Sequence, residues 1–191
     1  MSHTRRRVLA TALAAAFAAT TTVMPAQADT CAASVNCNTT VTFTVSAGAG
    51  LQITVPNGPL SIGTGSPGAA ISGQLGSVTV SDQRASVTAT WVAQVSATDF
   101  TTGGGTAAET IANSRINYWS GPATATTGTG TFVPGQANAA SSVVLDQTRI
   151  AFSKTTGAGN NSATWNPTIV VDVPAQAVAG TYTGVIRHSV A

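Results

Sequence analysis

Between Ser86 and Thr98 the side chains alternate: Val87, Ala89, Trp91, Ala93, Val95 and Ala97 fall on one face, while Thr88, Thr90, Gln94, Ser96 and Thr98 fall on the other. Only Val92 breaks the rhythm. A period of two suits a strand with one face in a core and one in water, and on a helix it would scatter the apolar set around the cylinder. Shorter copies recur. Val41, Phe43 and Val45 alternate with Thr42, Thr44 and Ser46; Leu51, Ile53 and Val55 with Gln52 and Thr54; Val78 and Val80 with Ser77, Thr79 and Ser81. Ser114 to Ser120, Thr129 to Val133, Val143 to Leu145, Thr148 to Phe152, Thr168 to Val173 and Thr181 to Val190 extend the series.

Between these runs lie Gly63 to Gly68, Gly103-Gly104-Gly105, Gly121-Pro122, Pro134-Gly135 and Gly157 to Asn161, all turn chemistry. Many short strands divided by turn signals predict an all-β chain, an antiparallel β-sandwich with little or no helix. Thr106 to Ala112 and Ala137 to Ser141 are expected to form no more than a turn or two of helix. Pro122 to Ala140, poor in large apolar residues, reads as a long mobile loop or hairpin.

The first residues read as an address. Arg5-Arg6-Arg7 precedes the apolar run Val8 to Ala19, and Ala26-Gln27-Ala28 supplies an A-x-A site. Twelve residues of helix reach about 18 Å, short of a hydrocarbon core of about 30 Å, so no retained membrane span is expected. The layout predicts an export signal over 1–28, cleaved after Ala28, of the general secretory or the twin-arginine kind. A segment 29–38 and a single β-sandwich domain 39–191 follow.

Removing the signal changes the charge balance. The whole chain has 8 Lys and Arg against 6 acids; after Ala28 the cations are Arg84, Arg115, Arg149, Lys154 and Arg187, scattered among six acids. Binding a phosphate backbone or an anionic membrane takes clustered cations that displace counterions, so a nucleic-acid partner is not expected. Cys31 and Cys37 stand just inside the processed start, and in an oxidising space the pair reads as a disulfide closing a small loop.

Catalytic chemistry has little to draw on. His188 is the one histidine after the signal; His-Glu-x-x-His and Gly-x-Ser-x-Gly are both missing from the chain. Asp29, Asp82, Asp99, Glu109, Asp146 and Asp172 are far apart in sequence, Asp82 and Asp146 reading as turn residues and Asp172 as an outward strand position. No catalytic residue, metal site or cofactor is expected, and the chain reads as non-enzymatic. Trp91 lies on the apolar face of the longest run and reads as core. Trp119, opposite in parity to Ile116 and Tyr118, is the candidate for surface contact with a ligand, with Tyr118 and Trp165 as further candidates.

Two stretches carry a resemblance. Thr90 to Phe100, with Trp91, and Thr164-Trp165-Asn166-Pro167 running through Val173-Pro174-Ala175 to Ala179-Gly180-Thr181-Tyr182-Thr183-Gly184-Val185 resemble the two conserved regions of WxL-type domains, the exported β-rich modules of Gram-positive bacteria. Neither tryptophan has a leucine two places on, so the likeness is to a WxL-like relative. It implies a secreted cell-surface protein associated non-covalently with cell-wall peptidoglycan, with wall glycan as partner. The charge-poor strands and the terminal Tyr182 to Val190 run support another reading, similar to spore-coat and pilus-type sandwiches: a structural subunit that self-associates by edge-strand pairing.

Overall fold

A computed structural model describes residues 32–34 and 38–191 of the chain. Cys31, Cys37 and the signal segment lie outside the described residues. The chain divides into two units, Met1–Phe43 and Thr44–Ala191, and every described strand lies in the second.

The strands follow in chain order: β1 (Leu51–Thr54), β2 (Ala70–Gln74), β3 (Val78–Asp82), β4 (Trp91–Ala97), β5 (Phe100–Thr101), β6 (Thr110–Ile111) and β7 (Ile116–Trp119). β8 (Ala123–Thr127), β9 (Phe132–Pro134), β10 (Val143–Val144), β11 (Arg149–Lys154), β12 (Asn161–Trp165), β13 (Thr168–Asp172) and β14 (Ile186–Val190) complete them. All pairings are antiparallel, in sheets ordered β1-β3-β12-β8, β10-β7-β13-β2 and β14-β4-β11-β9, with β5 and β6 forming a small separate pair. Helix among the described residues is confined to single 3₁₀ turns, including Ala107–Glu109 and Ala139–Ser141. The chain is an all-β antiparallel sandwich.

The first two sheets are halves of one ladder. Trp165 pairs with Val78 and Ala123, and Thr168 pairs with Gln74 and Trp119, so the chain that forms β12 continues as β13 between the same two neighbours. All three strands break at this level. Asn166-Pro167 interrupts the centre, where proline brings no N–H to the ladder; Gly76, at φ 87°, and Gly121, at φ 69°, interrupt the flanks. A left-handed backbone there turns each strand without the Cβ clash another residue would meet. The ladder therefore folds over the core in two panels, and the β14-β4-β11-β9 sheet forms the facing layer.

Between the layers lie Trp91 and Phe152 from the facing sheet, and Val78, Val80, Ile116, Tyr118, Trp165, Ile169 and Val171 from the bent one, all buried. Phe152 stacks on Trp165 with ring centroids 4.9 Å apart. Several polar groups inside are paired: Trp91 Nε1 donates to Asn161 Oδ1 at 2.9 Å, Asn161 Nδ2 donates to Asp82 Oδ2 at 3.3 Å, and Lys154 Nζ donates to the carbonyls of Ala89 and Thr156 at 2.8 and 2.7 Å. Gln136 Oε1 and Asn166 Oδ1 are buried without a partner among the described residues.

The structure corrects several expectations. Ser86 to Thr90 does not join β4: the Ser86 hydroxyl accepts from the Thr88 N–H at 3.2 Å, a local bond that competes with a ladder, and Val87 faces solvent. Pro122 to Ala140 is neither one long loop nor a hairpin: it holds β8, paired with β12, and β9, paired with β11. Asp82 is a buried strand residue gripped by Arg84 at 2.9 Å. Thr39 to Ser46 forms no strand, because alternation fits a segment for a ladder but supplies no edge to receive it.

At Gly121 the nearest atom to an added Cβ is the Asn166 carbonyl oxygen at 3.9 Å, so there is room, and the penalty is one of backbone conformation. Gly121→Ala is expected to lower unfolding stability by about 1–2 kcal/mol in urea melts.

Candidate functional site

β14 pairs with β4 on one side only. Ala191 exchanges both backbone bonds with Val92, at 2.8 and 3.1 Å, and Thr98 N–H donates to the Val185 carbonyl at 3.0 Å. The odd residues of this strand thus spend their backbone groups on β4. Ile186, His188 and Val190 turn theirs to the opposite edge, where no described strand pairs with them. Their side chains, only half-buried, look across at the inner face of β13 and β2.

On that inner face Ile169 and Val171 are buried and Ile71 is half-buried. Ile71, Ile169 and Val171 form the floor of a groove of about 960 Å³, with Ile186 and His188 on one side and Phe100 and Ile111 at its corner. The opposite rim is 55–65, which has no regular structure. Ile62 from this rim lies over Gly73; a Cβ there would stand 2.7 Å from the Ile62 Cβ, so glycine at this point is what admits the loop. No Asp, Glu, Lys or Arg lines the groove. The geometry offers an apolar trough beside a row of unspent backbone donors and acceptors, which is what an added strand needs.

His188 is the one imidazole in the wall. Trp165 Nε1 donates to Tyr118 Oη at 3.4 Å, and Tyr118 Oη lies 3.4 Å from His188 Nε2. The Tyr118 hydroxyl can accept from indole and still either donate to or accept from Nε2, so the imidazole tautomer sets the direction of that bond. Burial pushes the Tyr118 phenol up, partly offset by the Trp165 bond, and pushes His188 down to about 4. Among the described residues no three His, Cys, Asp or Glu side chains converge as metal ligands, and no helix is long and apolar enough to cross a membrane.

The aromatic candidates from sequence are placed differently from one another. Trp165 and Tyr118 are fully buried in the core and offer no surface to a ligand, because both face the core side of the bent ladder. Trp119 is half-buried on the opposite parity. The sequence places a terminal strand over Thr181 to Val190 and leaves its outer edge open as a question; the strand is Ile186–Val190, and the floor is missed because Ala-Ile-Ser-Gly-Gln of β2 holds a single large apolar residue.

A second surface is built from hydroxyls. On the outer face of the β1-β3-β12-β8 sheet the register aligns Gln52, Ser81, Ser162 and Thr127 in one row and Thr54, Thr79, Thr164 and Ala125 in the next. Thr79 and Thr164 hydroxyls meet at 2.9 Å and those of Thr127 and Ser162 at 2.7 Å.

The lowered His188 pKa sets a pH dependence. An unfolded imidazole takes a proton near pH 6.5 and the folded one near 4, so folding stability is full above about 6.5 and falls as pH drops through this window. In chemical unfolding at pH 4.5 and 7.5, His188→Phe is expected to flatten that difference. No protein-family model matches this chain, and no curated protein matches it.

Proposed function

We propose that this chain is an exported, non-enzymatic structural subunit whose groove and free β14 edge accept a strand, so that it works by assembly. The observation that carries this is the apolar trough of about 960 Å³ beside the backbone groups of Ile186 and His188. A closed monomer gains by covering such a face, and an exposed edge next to it is the usual template for pairing with another chain. The signal-like segment 1–28 supports export, and the uncharged lining suits contact with a neutral, strand-forming peptide.

The test is self-association of the processed chain, residues 29–191, followed by sedimentation velocity over rising concentration. Mass above the monomer is expected. Ile71→Glu, at the groove floor, and Leu60→Glu, half-exposed at its rim, are expected to weaken association by at least about tenfold, the effect of losing about 1.4 kcal/mol at a buried contact. A wild-type chain that stays monomeric at every concentration, or association untouched by either substitution, ends the reading.

A second reading, a WxL-like module held on wall glycan, is favoured by the paired hydroxyl rows, which present a stiff, uncharged polar face. Trp91 and Trp165 are core residues and cannot be its contacts. The processed chain is expected to be retained on purified peptidoglycan, and a Thr79→Val, Thr164→Val double variant to be washed off. Retention no better than that of an unrelated secreted β-protein would refute this.

A further inference from the structure

The groove leaves open what fills it, and a segment of this same chain has the required form. Val41, Phe43 and Val45 are 78, 86 and 75% exposed, three apolar side chains at alternate positions of a segment without regular secondary structure. Their intervening partners are Thr40, Thr42, Thr44 and Ser46. A lone exposed apolar residue needs no explanation, whereas a whole strand face of them does. The alternation is that of a strand with one face buried, yet the segment belongs to no ladder among the described residues.

We propose that Thr39 to Ser46 of a second copy of this chain occupies the groove as an added strand. This rests on the acceptor-groove reading above and names its partner. The inserted backbone pairs with the outward N–H and C=O groups of Ile186 and His188, while Val41, Phe43 and Val45 turn onto Ile71, Ile62 and Leu60, lining residues that keep exposed surface. The threonine face then points outward. Both partners suit the fit: the segment is uncharged, as is the lining apart from the unprotonated His188. A charged residue in either would have to be desolvated on insertion.

Donor and acceptor are different surfaces, so the contact is head-to-tail. Each copy that receives a strand still has its own to give, and growth proceeds as an open chain of copies.

Phe43→Glu separates the parts, because Phe43 is in solvent and its replacement leaves the core untouched. In sedimentation, Phe43→Glu is expected to weaken self-association by at least about tenfold. A synthetic peptide of residues 38–47 is expected to bind the Phe43→Glu chain with one-to-one stoichiometry, measured by fluorescence polarisation. Mixing the Phe43→Glu chain, which keeps its groove, with the Ile71→Glu chain, which keeps its strand, is expected to yield heterodimers that grow no further.

If Phe43→Glu associates as well as wild type while Ile71→Glu and Leu60→Glu do not, the groove takes a different strand and this proposal fails alone. Failure of the peptide to bind the Phe43→Glu chain likewise overturns it. A wild-type chain that remains monomeric overturns this proposal together with the reading beneath it.

Discussion

A break placed at one level across three paired strands governs the rest of this molecule. Pro167 withholds a backbone donor from the centre of the ladder, and Gly76 and Gly121 let the flanks turn with it. A flat sheet could be covered by one facing sheet. A sheet folded into two panels cannot be covered equally, and here the facing layer of β14, β4, β11 and β9 gives its best packing to the panel holding Trp165. Phe152 and Trp91 sit there. The panel of β2 and β13 meets the edge strand β14, the segments 55–65 and 177–185 and the corner at Phe100 and Ile111, and the groove lies among them.

Hydrogen-bond accounting leads to the same place. The chain of Trp91, Asn161, Asp82 and Arg84, and the pairing of Lys154 with two carbonyls, satisfy polar groups deep in the fold. Arg84 holds the Asp82 carboxyl below the usual range through its side-chain bond, against the opposing effect of burial. The backbone of β14 differs, because half of its groups have no strand to meet. Such groups are satisfied by water in an isolated chain and by a neighbour in an assembly.

Much of the fold was legible because alternation reports directly on burial. The run around Trp91 placed β4 and its core face, and Val92 turned outward as its parity requires. Val41 to Val45 shows the limit: the pattern was that of a strand, but pairing is a property of two segments and the second is not found within the ladder. β2 and β8 were missed for the opposite reason. Their small and hydroxylated residues carry little hydrophobic signal, and their places are fixed by the central strand. Of the site, the edge of β14 could be anticipated, whereas the trough arises from how two panels meet and leaves no local trace.

The order of strands has a consequence for how the chain reaches its final form. β12 and β13 lie between the strands of 70–82 and those of 116–127, which touch the centre and not each other. β3 already pairs with β1 and β7 with β10, but β2 and β8 have no ladder to join until the residues around 161–172 are present. Contacts of such long sequence separation close slowly, because the entropy of bringing distant segments together is spent before any pairing rewards it. A polypeptide built this way can form its side ladders early but joins the two panels of the bent sheet only when 161–172 arrives, so that late stretch is the step on which closure of the sandwich waits.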